Sequence, residues 1–339
     1  MIRGAALLGA GLLAAVATAG AAPTNHHGYG FGHSFDVALW GDLPYTPLQA
    51  TDDVPALIDD INAHRVAFSI HDGDIKNGST PCDDAAYERT VGYLNDLWAP
   101  AFYTPGDNEW TDCHRLSNGG WDPLERLAHD REVFFAQPKS FGAFRQRAYE
   151  RQSAAYPENG RWWHRGVLFV TLHVVGSNDN RINDLAACDA ATNSARTLAQ
   201  CEAAQAEHVA RSAATIEWLR DSFAVASERN AAGVMLVQQA NPGFEVVDPA
   251  ARLAGNLNGF DAFLAALRAE VEAFGEPVLF VHGDSHYYRE DKPMRKADGS
   301  AVLNFTRVET FGELDPQWVR VTVDRHDEDV FSVDPEYVD

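Results

Sequence analysis

From Phe35 onward, short apolar runs alternate with stretches whose apolar residues recur every three or four positions. FDVALW precedes VPALIDDINAH, RVAFSI precedes DAAYERTVGYLNDLW, and APAFYT precedes DPLERLAHDREVFF. Farther along come VLFVTLHVV, a long helix-like stretch from Cys201 to Glu228, VMLVQQ, a helical pattern in FDAFLAALRAEVEAF, and PVLFVH. Strands this uniformly apolar must be covered on both faces, so the pattern predicts an α/β chain with sheets sandwiched between helices. The C-terminal runs AVLNFTRVETF, WVRVTVD and DVFSV alternate more clearly and have no helix between them. They predict antiparallel pairing, and hence mixed sheets.

The polar segments that follow the strands carry the chemistry. FDVALW ends in Gly41-Asp42, VAFSIH runs into Asp72-Gly73-Asp74, and FYTP runs into Gly106-Asp107-Asn108-Glu109. LFVTL ends at His173, MLV is followed by Gln238, Gln239 and Asn241, and LFV by His282, Asp284 and His286. Ligands gather at the carboxyl ends of strands in α/β sheets, where loops converge. A Gly-Asp after one strand is ordinarily a turn, and a lone histidine in an apolar context is ordinarily a hydrogen-bonded core residue. Repetition changes the reading: carboxylates brought together repel and raise one another's pKa unless a cation neutralises them.

Composition narrows the partners. The net charge is −22, from 49 Asp and Glu against 27 Lys and Arg, with no basic run, so nucleic acid and anionic membranes are not expected partners. An anionic substrate must be attracted locally. The opening residues carry one cation at Arg3, an apolar run from Ala5 to Val16 and the small triplet Ala19-Gly20-Ala21, the pattern of a signal peptide over residues 1–21. The run is shorter than the roughly 20 residues of a membrane span, so no anchor is expected and the chain is read as secreted or periplasmic. Residues 22–33 read as a flexible His/Gly-rich N-terminus, and residues 34–339 as one domain with no linker to split it. The oligomeric state is not legible. Four cysteines, Cys82, Cys113, Cys188 and Cys201, allow three pairings in an oxidising compartment. Cys188 with Cys201 would bracket a polar segment, and Cys82 with Cys113 would join the loops after Asp74 and Asp107; this pairing is the one favoured.

The ordered set GDLPY, GDIKNG, GDNEW, VQQANP and HGDSH resembles the calcineurin-like metallophosphoesterases, a group that includes the purple acid phosphatases. The likeness covers about Val37 to His286. It implies a four-layer αββα sandwich in a single domain, two divalent metal ions, and hydrolysis of phosphomonoesters or phosphodiesters of small phosphorylated substrates by a two-metal-activated water. Carried over residue by residue, Asp74 would bridge the ions, with Asp42 and His286 on one and Asp107 and Asp284 on the other; Gln239 is a further candidate on the second. Asn108 would donate a hydrogen bond to a phosphoryl oxygen, and His114 would protonate the leaving group.

The departures from the family pattern are specific. Asp107 and Asn108 stand where the family has Asn and His, Asp284 stands where GHxH has its first His, and VQQANP lacks a histidine. Pro44 replaces a common histidine, with Tyr45 beside it. The donor set is oxygen-rich, with His286 as the one motif imidazole and His173 as an additional candidate. Such a set suits Mn²⁺, Mg²⁺, Ca²⁺ or iron better than zinc. With two family histidines replaced, the alternative is a non-catalytic metal- or phosphate-binding protein on the same fold. His71 and His282 are candidates for orienting carboxylates, Trp162 and Trp163 for lining a cleft, Asn178 and Asp179 for contacting substrate, and His26, His27 and His33 for binding metal. Each also has an ordinary structural role open to it.

Overall fold

The computed structural model describes Met1, residues 34–144 and residues 146–338. Residues 2–33, on which the expected signal peptide after Met1 and the His/Gly-rich segment with its three histidines fall, therefore lie outside the described residues. Twelve strands follow in chain order among the described residues: β1 Phe35–Trp40, β2 Phe68–His71, β3 Ala101–Tyr103, β4 Glu150–Arg151, β5 Gly160–His164, β6 Val167–Thr171, β7 Val234–Val237, β8 Val278–His282, β9 Arg289–Asp291, β10 Phe305–Glu309, β11 Trp318–Val323 and β12 Phe331–Glu336. The longer helices are α1 Val54–His64, α2 Asp84–Asp96, α3 Pro123–Phe134, α4 Leu198–Glu228 and α5 Asp261–Phe274.

The strands form two mixed sheets, in the orders β12-β11-β1-β2-β3 and β4-β5-β6-β7-β8-β10-β9. β1, β2 and β3 run parallel, as do β6, β7, β8 and β10. Three apolar layers separate the structural layers. Val37, Leu39, Phe68 and Ile70 of the first sheet meet Phe169, Met235, Leu279 and Val281 of the second in a central seam. The outer face of the first sheet packs on α1, α2 and α3 through residues such as Leu57, Ile61 and Leu94. The outer face of the second packs on α4 and α5 through Leu219, Phe223, Phe263 and Leu267. This is the αββα sandwich, and it explains the apolar runs: each central strand is buried on both faces.

Local signals set the helix ends. The Asp83 and Asp122 side chains cap α2 and α3 by accepting backbone N–H groups of Ala86 and Leu124. Thr197 and Gln200 form a capping box at the start of α4, and Gly275 closes α5 at φ 78°. One expectation is corrected. The run containing β10 pairs antiparallel with β9 but parallel with β8, in a different sheet from β11 and β12, which form the expected antiparallel C-terminal hairpin. Residues 283–304 are long enough to carry the chain back across the sheet without a helix, a route that alternation of side chains cannot report. Trp162 stacks on Phe102 at 3.6 Å inside the central seam, which gives it a packing role. No helix among the described residues is long and apolar enough to cross a membrane.

Candidate metal centre

The carboxyl ends of β1, β2 and β3 in one sheet and of β6, β7 and β8 in the other deliver their loops to one edge of the sandwich. Asp42 follows β1, Asp74 follows β2 and His286 follows β8, and these three offer ligand atoms that all lie within 4.8 Å of one another. Asp42 and Asp74 are buried; the His286 side chain is 20% exposed. His286 Nε2 lies 3.3 Å from Asp42 Oδ1, and its Nδ1 lies 3.2 Å from Glu313 Oε2.

The backbone is bent to achieve this. Asp42, Asp74, Asp284 and His286 all adopt positive φ, between 52° and 78°. Non-glycine residues rarely hold this conformation, and its occurrence at four clustered donors marks a site where structure enforces the geometry. The neighbouring glycines serve a different purpose, close approach. A Cβ on Gly283 would overlap Asp42 Oδ2, and one on Gly106 would overlap the Asp74 carboxylate.

Tyr45 places its hydroxyl in the middle of the cluster, 3.0 Å from Asp74 Oδ2, 3.4 Å from Asp42 Oδ1 and 3.2 Å from His286 Nε2. Asn108 donates from Nδ2 to that hydroxyl at 2.9 Å and to Asp74 Oδ2 at 2.8 Å, while its backbone N–H bonds Asp74 Oδ1 at 3.0 Å. Glu109 organises the loop from beneath, accepting the backbone N–H groups of Gly106 and Asp74 and the Tyr103 hydroxyl. Tyr45 and Glu109 were within the quoted motifs but carried no expected role. The signal for Tyr45 was its place directly after Pro44 in GDLPY.

Asp107, Gln239 and Asp284 flank the trio without joining it. Asp107 accepts Gln239 Nε2 at 3.1 Å and the Ser177 hydroxyl at 2.8 Å; Asp284 accepts the Asn241 N–H at 2.8 Å, and its own N–H points at Asp42. Gln239 in turn accepts the Gly176 N–H at 2.6 Å. His173 is buried elsewhere, with Nδ1 2.7 Å from Glu158, itself paired to Arg131. His114 lies 2.8 Å from the Ser194 hydroxyl, and burial, aided by Arg196 and Arg115, lowers its pKa to about 3, so it is neutral near pH 7. His71 and His282 turn Nδ1 to the backbone of Gly73 and Gly283, and burial lowers both to about 3.

Electrostatics favours a cation at the trio. Burial drives Asp42 and Asp74 upward, and for Asp74 the charges of Asp107, Asp42 and Glu109 drive it farther. Asp284 is raised by burial and by Asp107, and Asp112 is pushed to about 8 by burial and Asp107. Burial opposes a charged His286, but Asp42 and Glu313 outweigh it and hold the imidazole at about 9. Buried carboxylates this crowded are costly unless a positive charge neutralises them. The donor set of two carboxylates and one imidazole, gathered by strained loops, fits a divalent cation.

The positive-φ run at Ser177, Asn178, Asp179 and Asn180 forms a left-handed turn beside the centre. Such a turn costs on the order of 1–2 kcal/mol per residue, less for Asn and Asp. Arg211, fully buried on α4, offsets this by donating to the Asp179 carboxylate at 2.5 Å and to the carbonyls of His173 and Asp179. The turn sets the Ser177 hydroxyl 2.8 Å from both Asp107 and Asp112. The structure joins Cys82 to Cys113 and Cys188 to Cys201, with Cα separations of 5.8 and 6.2 Å.

No protein-family model matches the chain, and no curated protein matches it in sequence. Among solved structures it is similar to GAP50, described as the anchor in the inner membrane complex of Plasmodium, at 10% identity and a TM-score of 0.43 over 91% of this chain and 90% of that one. It is similar to the purple acid phosphatase PPD1 from yellow lupin (Lupinus luteus) seeds, at 12% identity and a TM-score of 0.48, covering 88% of this chain and 53% of that one. A 5'-nucleotidase from Candida albicans SC5314 matches at 10% identity and a TM-score of 0.44, covering 90% and 51%. The chain thus spans about half the length of the last two. At these identities and TM-scores, nothing about the chemistry of this chain follows from them.

Proposed function

We propose that this chain is an exported, metal-dependent hydrolase of phosphoric esters, acting on small phosphorylated molecules. The observation that carries the reading is the convergence of Asp42, Asp74 and His286, from both sheets, on one point at the strand ends. Divalent ions at this edge would supply Lewis-acid stabilisation of phosphoryl oxygens and a water made acidic near neutral pH.

The protein's own groups do the rest. Asp42, Asp74 and His286 would hold a first ion, and a second would draw on Asp74, Asp107, Asp284 and Gln239. Burial and the charges of Asp74 and Asp42 push the Tyr45 hydroxyl well above its ordinary range, so it stays protonated. Tyr45 O–H and Asn108 Nδ2 are therefore neutral donors fixed at the centre, suited to oxygens that gain charge in the transition state. The neutral state of His114 argues that the leaving group takes its proton from elsewhere or departs as an anion.

A second reading draws on Asp107, whose two carboxylate oxygens are already bonded to Gln239 and Ser177. A protein that held one ion and bound phosphate without turnover would need no more. Protein purified without chelator, analysed for metal, and assayed with phenyl phosphate and bis(4-nitrophenyl) phosphate under added Mn²⁺, Mg²⁺, Ca²⁺, Fe²⁺ or Zn²⁺ separates the two. Turnover that disappears in Asp74→Asn supports the hydrolase. No turnover with any metal, or full activity in that variant, overturns it.

A further inference from the structure

Immediately beyond Ser177 lies a cavity of about 480 Å³, within the range that holds small organic ligands. Asp112 and Ser177 join its lining to Asp107, Ser177 by a hydrogen bond from its hydroxyl and Asp112 by a bond from its backbone N–H to the Asp107 carbonyl. The same cavity is lined by Arg115, Arg181 and Arg196. Two carboxyl groups, Asp112 and Asp184, share the lining, and Asp112 pairs with Arg115, so in a chain with 22 excess negative charges this wall carries a small local excess of positive charge.

The three arginines differ in how far they are already satisfied. Arg115 pairs with Asp112 at 2.6 Å, and Arg181 donates to the Asn258 carbonyl at 3.3 Å from an exposed position. Arg196 donates from Nη2 to the Thr111 carbonyl and to Asn180 Oδ1, while its buried Nε has no hydrogen-bond partner among the described residues. Burial lowers Arg196 to about 10, so it remains charged at neutral pH and gains from an anionic partner.

The wall is held in place covalently. Arg196 lies inside the loop closed by Cys188 and Cys201, and His114 and Arg115 directly follow Cys113. Two backbone bonds pin one segment to the other, Leu116 N–H to the Asn193 carbonyl and Ala195 N–H to the His114 carbonyl.

Resting on the phosphoester reading, we infer that this cavity receives the alcohol part of the substrate and that this part carries a second anionic group, a carboxylate or a phosphate, bound by Arg196 and Arg181. Planar guanidinium groups pair with such oxygens through charge-assisted bonds. Asp112 and Ser177 form the divide between the phosphoryl end and the anionic end.

The test uses two non-hydrolysable ligands of equal size, 4-(phosphonomethyl)benzoate and its carboxamide, titrated calorimetrically into the Mn²⁺-loaded protein. The carboxylate should bind about tenfold more tightly than the carboxamide. That ratio should fall toward one in the Arg181→Gln, Arg196→Gln double variant and be largely kept in Arg196→Lys. Arg181→Gln alone, at an exposed position, should lower the ratio in part, which keeps the comparison intact if substitution at Arg196 disturbs folding. Equal affinities in the wild type, or a ratio that survives the double variant, overturn the inference. If both ligands bind equally, or neither binds, while phenyl phosphate is hydrolysed, only this inference fails; if neither binds and no metal gives turnover, the phosphoester reading falls with it.

Discussion

Removing divalent ions should make the protein lose stability as pH rises from 7.5 to 9, and adding them back should restore it more at the higher pH. The sign follows from the raised carboxyls. A group that holds its proton more tightly in the folded than in the unfolded chain contributes stability below its unfolded value and loses it as pH climbs through the folded one. Asp112, at about 8 against an ordinary 3.8, loses about 0.8 kcal/mol over this interval. His286, at about 9, loses stability in the same direction. His71, His114 and His282 act oppositely, because their folded values lie near 3, but their gain is nearly complete once pH passes the unfolded value of 6.5. With an unfolding entropy of roughly 0.6 kcal/mol per kelvin for a domain of this length, Asp112 alone lowers Tm by ~1 °C. An ion at a hundred times its Kd adds about 2.7 kcal/mol, or ~4 °C. The gain should be larger at pH 9, since His286 must release its proton to become a ligand. Scanning calorimetry with chelator and with Mg²⁺ at both pH values is the assay. A chelated protein equally stable at both, or a Mg²⁺ gain independent of pH, would refute the reasoning.

Asp74→Asn should reduce kcat at least about a thousandfold and lower the bound metal while the fold persists, checked by assay, elemental analysis and circular dichroism. Tyr45→Phe removes the central hydroxyl donor and should cost about 10²-fold in kcat with metal content unchanged; an unaltered kcat would remove Tyr45 from the site. Arg211→Met leaves the buried Asp179 carboxylate and the half-buried Glu207 without their arginine and should cost about 3–5 kcal/mol in urea unfolding, a loss smaller than about 1 kcal/mol contradicting its role under the left-handed turn. Peptide mapping without reductant should find Cys82 joined to Cys113, and reduction should weaken metal affinity more than it lowers Tm; a fragment linking Cys82 to Cys188 or Cys201 would contradict the arrangement of the two loops.

What could be read from the sequence was what local pattern encodes. Apolar runs buried on both faces give a period-free signal, and four of the six central ones lead into a Gly-Asp pair, so the strand ends carrying Asp42, Asp74 and His286 could be found without coordinates. The partners of β10 could not, because parallel pairing depends on the path of residues 283–304 and leaves no mark on β10 itself. The role of Tyr45 leaves no mark in the sequence beyond its place after Pro44, since only the bend after Gly41 and Asp42 turns its hydroxyl inward. Arg115, Arg181 and Arg196 form no basic run, because they are separated along the chain and meet only around the cavity in the fold. The turn at SNDN was visible as a turn, but its left-handed course rests on Arg211, some thirty residues away.

The three groups gathered at the candidate metal centre come from different sheets, Asp42 and Asp74 from one and His286 from the other. A bound cation would act as a clasp across the edge of the sandwich, and the spacing of its ligands is fixed by how the sheets rest on each other along the seam of Phe68, Phe169, Leu279 and Val281. Coordination tolerates only about 0.2 Å of error in distance, whereas a methylene removed from a close-packed seam lets its walls move by comparable amounts. Selection for metal affinity in such an architecture therefore falls on greasy residues far from the ion as heavily as on the carboxylates. A sheet that slipped would open the clasp before it unfolded the protein.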